Sequence, residues 1–288
     1  GSHPTQSVSV PLEGDRQADS MPATAASGVT RYQYRVSQTG FNANSLGIAA
    51  NGDAYFTTQF TEERRSQASV CDTFFLICWS GWYWGSWSTW SAQSTRYTSV
   101  WKVNLEDGAV AQLMTRSTSY ATDFTGGAVN TAGVYHVSYI TSFTSPANSM
   151  RFFILRFTGT VLEAASTATT VANSQPNSAT GFIGDIAFDG YNNLHVLVGG
   201  TSTSSRMARL TAAQVPPTGN ANPTGIAVTS VAQTTPASGA EPAGIAFPFA
   251  TSTVWQGANT HYLRSMTTLN TVTSTQTYSG FPGQRDLA

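Results

Sequence analysis

The sequence repeats one short phrase, which first reads Ser45-Leu46-Gly47-Ile48-Ala49-Ala50-Asn51-Gly52-Asp53-Ala54-Tyr55-Phe56. In this stretch a short apolar strand enters a Gly-Asp turn, and a second strand leaves the turn. The phrase recurs with variations at 126–136, 184–195 and 243–255, and residues 285–288 repeat its beginning a fifth time. Each copy predicts a β-hairpin, and the recurrence predicts one structural unit that is used several times.

A second motif alternates with these hairpins. It is a cation flanked mostly by apolar residues, and it occurs at 31–37, 99–104, 153–157, 206–210 and 261–265. A four-stranded unit that recurs about every 40–60 residues is typical of a β-propeller blade. The sequence therefore predicts an all-β fold, a single β-propeller of five four-stranded blades closed by pairing of the N- and C-terminal strands. Six blades remain the alternative if the long first interval or the region 215–238 contains a degenerate blade.

The composition limits the classes of partner. Charged residues make up 10% of the chain and the net charge is -1, whereas average soluble proteins are roughly 25% charged. No broad basic face is available to neutralise phosphates, so we expect no nucleic-acid partner. The chain has no apolar run of the roughly 18 residues that a membrane helix needs, and we expect no membrane insertion.

The domain prediction follows from the repeats. Gly1-Ser2-His3 resembles the scar of an expression tag, and residues 1–30 are predicted to be this scar and an extended arm. Residues 31–288 are predicted to be the β-propeller, with an insertion at about 57–97. The low charge and the Ser/Thr-rich loops favour an extracellular protein, either secreted or attached to a cell wall.

The chain has two cysteines, Cys71 and Cys78. Two are too few for a structural zinc site, which takes four ligands, and their spacing is not that of the redox Cys-x-x-Cys motif. We expect a local disulfide formed in an oxidising compartment; the alternative is a pair of buried thiols on one apolar strand. Because the spacing is odd, one regular strand would point the two side chains to opposite faces. A disulfide therefore requires a turn or a bulge between them.

The insertion is the stretch that points to function. Between residues 79 and 90 it holds five of the chain's seven tryptophans, and no propeller blade needs them. Tryptophan and tyrosine offer flat apolar faces with a polar edge, which suits sugar rings and protein hot spots. The predicted ligand-binding residues are Trp79, Trp82, Tyr83, Trp84, Trp87 and Trp90. The alternative is that the rings pack inward, and the nearby segment 62–65 is interpreted as a solvated turn.

Carboxylates and histidines form the second candidate site. Asp185 and Asp286 begin equivalent strands, and His136 and His195 hold equivalent places in two hairpins. If these groups meet at one mouth of the propeller, they can bind a metal or serve as acid and base. The competing interpretation is structural: aspartates satisfy backbone donors in turns, and the histidine position is aromatic in the other repeats. We therefore predict no metal, no cofactor and no catalytic residues.

Several phrases resemble a known family. The segments 46–49, 185–190 and 100–108 are similar to the N-terminal β-propeller heads of wall-anchored surface proteins of Gram-positive bacteria. The resemblance covers about residues 31–288, although the Trp-rich insertion departs from it. It implies an adhesin-like head domain that is followed by stalk domains and that binds a host or environmental glycan or protein. It implies no catalytic residues.

The residues and the resemblance together lead to one functional prediction. The chain is predicted to be a non-enzymatic extracellular recognition or adhesion domain that binds a glycan or protein ligand through its aromatic insertion. The alternative is a secreted lyase or hydrolase that acts on polysaccharide or peptide at the mouth of the channel, with Asp185, Asp286 or the two histidines as its reactive groups.

Overall fold

The computed structural model describes residues 25–37, 42–74, 77–78, 80–118, 123–144, 149–171, 185–201, 204–215, 230–234, 242–247, 254–258, 262–268 and 271–277. All regular structure in these ranges is β-strand, as the all-β prediction requires. They contain no helix long and apolar enough to span a membrane. The chain divides into two compact units. We call residues 43–58, 99–115 and 122–288 the blade unit, and residues 1–42, 59–98 and 116–121 the insert unit.

The first part of the chain contributes strands to both units. Its strands are β1 (Thr30–Val36), β2 (Asn42–Ile48), β3 (Asp53–Val70), β4 (Thr73–Phe74), β5 (Ile77–Cys78), β6 (Tyr83–Trp87), β7 (Ser91–Asn104) and β8 (Val110–Ser117). β3 and β7 are long, and each supplies residues to both units. In the blade unit β2, β3, β7 and β8 form a four-stranded sheet, whereas in the insert unit β1 and β6 pair with the remainder of β3.

Three further sheets complete the described part of the blade unit. Their strands are β9 (Phe124–Val129), β10 (Tyr135–Thr144), β11 (Ser149–Phe157) and β12 (Leu162–Val171); β13 (Asp185–Phe188), β14 (Leu194–Thr201), β15 (Ser204–Leu210) and β16 (Ser230–Thr234); and β17 (Pro242–Ala246), β18 (Val254–Ala258), β19 (Tyr262–Thr268) and β20 (Thr271–Thr277). In each sheet every strand pairs antiparallel with the next one along the chain. The blade unit is thus a succession of four-stranded meanders, the unit from which a β-propeller is built.

The two sequence motifs occupy fixed places in these sheets. The recurring phrase forms the first and second strands of each sheet, for example β9 and β10, which pair from Val129–Tyr135 onward. The cation motif at 99–104, 153–157, 206–210 and 261–265 falls on the third strands, β7, β11, β15 and β19. The predicted hairpins are therefore present where the sequence placed them, and residues 230–234, in the region considered for a hidden blade, are the fourth strand of the third sheet.

Neighbouring sheets pack face to face and share their cores. One cluster of buried side chains joins the second and third sheets, and it consists of Ala128, Ile154, Ala165, Ile186, Leu194, Val196, Leu210 and Val215. A smaller one, Ala187, Leu197 and Ile245, joins the third and fourth sheets. Burial of each large aliphatic side chain contributes roughly 1.5–3 kcal/mol. The faces that a single meander leaves bare are thus covered by the next meander, which is the arrangement of a β-propeller.

Glycines let the first strands of the sheets approach closely. A Cβ added to Gly127 of β9 would lie 2.0 Å from the carbonyl oxygen of Ser45 in β2. A Cβ on Gly126 would lie 2.6 Å from the Cα of Asp185 in β13. Real Cβ atoms do not make contacts this short, so only glycine permits this spacing of the first strands.

The predicted closure of a five-bladed ring stays a prediction. The described residues contain four of the four-stranded sheets, and residues 285–288 lie outside them. The N-terminal strand β1 pairs with β3 in the insert unit, from Thr30 opposite Ala68 to Val36 opposite Glu62. The structure therefore gives this strand a partner that the repeat pattern did not indicate.

Candidate functional site

A disulfide closes one end of the insert unit. Cys71 and Cys78 are bonded, with their Cα atoms 5.7 Å apart, and this confirms the predicted pairing. The required reversal of the chain is present, because Thr73 pairs with Cys78 and Phe74 with Ile77 in the β4–β5 hairpin. The bond limits the freedom of the segment and so lowers the entropy that ordering it on binding would cost.

The pairing of β1 with β3 arranges three arginines in a row. Residues two apart along a strand share a face, so the facing pairs Arg31–Gln67, Gln33–Arg65 and Arg35–Glu63 lie on the same face of the insert sheet. In each pair the arginine donates to its neighbour across the strands. Nε of Arg31 lies 2.6 Å from Oε1 of Gln67, Nε of Arg65 lies 2.8 Å from Oε1 of Gln33, and Nε of Arg35 lies 2.6 Å from Oε2 of Glu63.

Three tryptophans contact the guanidinium groups of these arginines. The guanidinium of Arg31 lies 4.4 Å from the ring centroid of Trp84 and 5.3 Å from that of Trp87. The guanidinium of Arg65 lies 4.9 Å from Trp87 and 4.7 Å from Trp90, and that of Arg35 lies 4.4 Å from Trp90. We call this set the tryptophan–arginine ladder, and its order is Trp84, Arg31, Trp87, Arg65, Trp90, Arg35. Each cation–π contact contributes about 0.5–1 kcal/mol at such half-exposed positions.

A strand irregularity explains the spacing of the ladder tryptophans. They recur every third residue, whereas side chains on one face of a regular strand recur every second. In the pairing of β3 with β6, Gln67 faces Trp87 and Ser69 faces Trp84, so two steps along β3 match three along β6. This irregularity brings Trp84 and Trp87 to the arginine row, and Trp90 lies in the connection between β6 and β7.

The ladder changes what its tryptophans can do. Trp87 has a guanidinium of the ladder on each side, from Arg31 and Arg65, and Trp90 lies between Arg65 and Arg35 in the same way. A sugar ring binds a tryptophan by stacking on its face. These contacts within the chain make the ladder a brace of the insert unit, and the ligand-binding role of its tryptophans stays a prediction.

Four large apolar side chains of the insert unit are exposed in the part of the chain around the disulfide. Ile77 is 68% exposed, Tyr83 44%, Trp82 40% and Val70 37%. Val70 faces Tyr83 across β3 and β6. Val70 and Ile77 are also the chain neighbours of the two bonded cysteines. We call these four residues the apolar end of the insert unit.

Hydrogen bonds join polar groups of residues 72–83, the part of the chain that contains Tyr83 of the apolar end. The hydroxyl of Tyr83 donates to Oδ1 of Asp72 over 2.8 Å, and this bond raises the pKa of Tyr83. The backbone N–H of Asp72 donates to Oγ of Ser80 over 3.1 Å, and that hydroxyl donates to the carbonyl of Gly81. These groups hold the segment together internally.

The predicted ligand-binding residues therefore fall into groups. Trp84, Trp87 and Trp90 are in the ladder, Trp82 and Tyr83 are exposed at the apolar end, and Trp79 lies outside the described residues. The segment 62–65 is not a solvated turn: it lies in β3, where Glu63 and Arg65 belong to the arginine row. The signal that could have revealed the row is the alternation of arginines and glutamines in 31–35 and 63–67.

The candidate acids of the blade unit bond to backbone and turns. Asp185 is fully buried; its Oδ1 accepts from the N–H of Ile186 over 2.8 Å and its Oδ2 from the N–H of Ile245 over 2.7 Å. It thereby links the first strands of the third and fourth sheets. Asp286 lies outside the described residues, and within the described ranges no three His, Cys, Asp or Glu side chains are grouped to hold a metal ion. Asp185 is placed as a structural residue, which is the competing interpretation made from the sequence.

The two histidines are buried at junctions between sheets. His136 contacts the ring of Phe188 in the next sheet at 4.9 Å between centroids, and His195 contacts Phe247 at 4.4 Å. Nδ1 of His136 lies 2.9 Å from the carbonyl oxygen of Val134, a contact that suits a protonated Nδ1 as donor. These equivalent contacts make the histidine position a packing position of the repeat.

The two histidines differ in electrostatic surroundings. Burial lowers the pKa of His136 to about 4. Burial also lowers the pKa of His195, although its Nε2 lies 3.0 Å from Oδ2 of Asp189, which opposes the shift. Burial alone would raise the pKa of Asp189, but hydrogen bonds from His195 and from Asn193 outweigh it and lower the pKa.

We expect the His136→Phe variant to resist mild acid better than the parent chain. Between pH 6.5 and pH 4 the unfolded chain protonates this histidine and the folded chain does not. The free energy of unfolding therefore falls as the pH falls through this window, by about 3 kcal/mol in all. Phenylalanine fits an aromatic position and removes that dependence. Urea unfolding at pH 7 and pH 4.5 measures the free energy of unfolding of both chains. If this free energy falls equally in the two chains between these pH values, His136 does not cause the loss of stability in acid.

The chain is an all-β protein of β-propeller type whose first sheet continues into a disulfide-closed insert unit with a tryptophan–arginine ladder. No protein-family model matches the chain, and no curated protein matches it.

Among solved structures, the chain is similar to Chaetomium thermophilum Sqt1 bound to the N-terminus of the ribosomal protein L10, with 10% identity, a TM-score of 0.39, and coverage of 84% of this chain and 64% of that one. It is also similar to KlAtg21 in complex with the coiled-coil of AgAtg16, with 10% identity, a TM-score of 0.38, and coverage of 83% and 58%. For apo AztD from Citrobacter koseri the identity is 6%, the TM-score 0.29, and the coverage 87% and 83%. The chain thus spans less than two thirds of the first two of these proteins, and no functional argument follows from similarity at this level.

Proposed function

We propose that this protein is a non-enzymatic extracellular recognition or adhesion domain that binds a glycan or protein ligand through the apolar end of its insert unit. The observation that carries the proposal is the exposure of Trp82 and Tyr83 beside a disulfide and a ladder. Exposed aromatic rings on a rigid support bind with little loss of conformational entropy. A disulfide is also typical of proteins outside the cytosol.

The proposal includes the setting of the domain. A five-bladed, closed β-propeller would be the scaffold, and the domain would be secreted or attached to a cell wall and followed by stalk domains. The resemblance of segments 46–49, 100–108 and 185–190 to adhesin-like heads of Gram-positive bacteria supports this setting. The bonding of Asp185 to backbone N–H groups supports a role without catalysis.

The experiment is a glycan-array screen of the intact domain beside the Trp82→Ala variant. We expect the variant to lose about tenfold or more in affinity, as is usual when an aromatic hot spot is truncated, with an unchanged melting temperature. Tyr191→Ala is the matched control, because Tyr191 is an 81% exposed aromatic residue of the blade unit. If Trp82→Ala binds every ligand of the intact domain equally well, the apolar end is not the binding site.

A further inference from the structure

The charges of the tryptophan–arginine ladder are not balanced. Its three facing pairs contain three arginines and one carboxylate, that of Glu63, so three positive charges and one negative charge leave a net charge of +2. Arg35 is the arginine that pairs with this carboxylate, and its Nη2 lies 2.6 Å from Oε2 of Glu63. Arg31 and Arg65 donate instead to glutamine side chains, whose amide oxygens carry no charge. Within the part of the chain that the structure describes, neither of these two arginines has a carboxylate partner.

The contacts of the ladder hold these two guanidinium groups in place but use few of their donors. A guanidinium carries five N–H donors. Arg31 uses its Nε on Gln67, and Arg65 uses its Nε and Nη2 on Gln33; the described residues accept no further hydrogen bond from either group. Both guanidinium groups also contact the ring of Trp87. Because these contacts are made before any ligand arrives, binding to the remaining donors costs little conformational entropy.

The spacing of the row favours a linear polymer over a single ion. Residues two apart in a strand are about 7 Å from one another, so Arg31 and Arg35 are about 14 Å apart along β1. A small anion reaches only one or two of the arginines at a time. A chain that carries carboxylate or sulfate groups at regular intervals meets them in succession, and arginine binds such groups through paired, charge-assisted hydrogen bonds.

The residues between the ladder tryptophans favour a polysaccharide as this polymer. They are short and mostly carry hydroxyl groups, and Ser86 and Thr89 among them are exposed. A hydroxyl both donates and accepts hydrogen bonds, which suits the hydroxyl groups of a sugar. An acidic peptide has the charge but lacks the sugar hydroxyl groups, so an acidic polysaccharide matches both features of the surface.

We propose that the ladder is a binding surface for an acidic polysaccharide, whose carboxylate or sulfate groups accept hydrogen bonds from Arg31 and Arg65. Gln67 and Gln33 contribute to this surface because they hold the two arginines without neutralising them. The surface uses none of the four residues of the apolar end. The inference therefore goes beyond the proposed function and does not depend on it.

The test is isothermal titration calorimetry of the intact chain with polygalacturonate, which carries carboxylates, and with heparin, which carries sulfates as well. Neutral dextran and polyglutamate are the comparison ligands. We expect binding to polygalacturonate or heparin, and the stronger of the two identifies the preferred anionic group. Dextran should not bind. The affinity for the acidic polysaccharide should fall as salt is added, because salt screens charges near the surface.

Two substitutions of nearly equal shape change the charge of the ladder without removing an arginine. Gln33→Glu gives Arg65 a carboxylate partner and should weaken binding by about tenfold, since a hydrogen bond to a charged group is lost to the ligand. Glu63→Gln removes the one carboxylate of the row and should strengthen binding by a similar factor. Gln214→Glu is the matched control: Oε1 of Gln214 accepts from the N–H of Thr211 in the blade unit, so glutamate keeps this bond and adds the same charge elsewhere.

The outcomes separate this inference from the proposed function. If the intact chain binds neither acidic polysaccharide, or if Gln33→Glu binds as tightly as Gln214→Glu does, the inference is wrong. Tighter binding of polyglutamate than of either polysaccharide would also overturn it, because the ligand would then be an acidic peptide. Trp82→Ala should keep its affinity for the acidic polysaccharide. A failure of the ladder to bind therefore leaves recognition by the apolar end standing, and a failure of Trp82→Ala to lose ligands leaves the ladder standing.

Discussion

The Gly127→Ala variant is expected to lose about 4 kcal/mol or more of the free energy of unfolding, at the extreme of what one substitution does. The added methyl group would lie 2.0 Å from the carbonyl oxygen and 2.2 Å from the carbonyl carbon of Ser45. Both are backbone atoms, so no side chain can rotate out of the way. The same carbonyl accepts a hydrogen bond from the buried hydroxyl of Tyr135, and moving β2 would break that bond as well.

The control for this variant is Gly133→Ala. Gly133 has a φ of +77° and nothing within 4 Å of an added Cβ, so its replacement measures only the conformational cost of a left-handed position, about 1–2 kcal/mol. Urea unfolding followed by circular dichroism compares the two chains, and pulse proteolysis of cell extracts serves if the Gly127→Ala chain is insoluble. A Gly127→Ala chain as stable as Gly133→Ala would show that the first strands are not packed as closely as described.

The repeated hairpins could be predicted from the sequence because their signal is local. An apolar strand, an Asn/Asp-Gly turn and a return strand follow one another within a dozen residues or so, and all copies that lie in the described residues form the first two strands of a sheet. The close approach at Gly126 and Gly127 was not predicted. A glycine inside a strand indicates that some backbone comes near, but the sequence does not say which one.

The partner of β1 could not be predicted for a related reason. Its pattern of a cation between apolar residues matches the third strands of the blades and predicts a place among them. Its arginines instead face Gln67 and Glu63 in the extension of β3. β3 is 18 residues long, whereas the mean strand has about 5–6 residues. No local feature of the sequence shows where its blade part ends and its insert part begins.

The candidate site was located by composition, but the roles of its residues depended on distant partners. The cluster of tryptophans is evident from the sequence, but the sequence is equally compatible with exposed rings and with buried rings. The ladder pairs Trp84 and Trp87 with Arg31, more than fifty positions earlier in the chain. The spacing of three does not fit a regular strand, whose side chains share a face every second residue, so the strand period did not place these rings on a common face; the irregular pairing of β6 with β3 does so for Trp84 and Trp87.

The Trp87→Ala variant is expected to lower the stability of the insert unit by about 3 kcal/mol, at the lower end of the range for tryptophan truncation because the ring is half-buried. Trp87 is the middle ring of the ladder, and its loss leaves Arg31 and Arg65 without the ring that both contact. The change should speed hydrogen exchange at the amides of β1 and of residues 62–68 in β3, while the exchange of β13 and β14 in the blade unit stays the same. Hydrogen exchange followed by mass spectrometry resolves these segments.

Two further variants test whether this effect is specific to the ladder. Trp87→Phe keeps an aromatic face for the guanidinium groups and should recover part of the protection, since cation–π attraction persists at a weaker ring. Trp82→Ala removes a ring of the apolar end, where 40% of it is exposed, and should leave exchange in β1 unchanged. If Trp82→Ala speeds hydrogen exchange in β1 as much as Trp87→Ala does, both tryptophans stabilise the insert unit. The distinction between a stabilising ladder and an exposed apolar end would then be wrong. If only Trp87→Ala accelerates exchange, the rings that hold the insert unit are distinct from the rings it presents, and ligand searches should be directed to Trp82 and its neighbours.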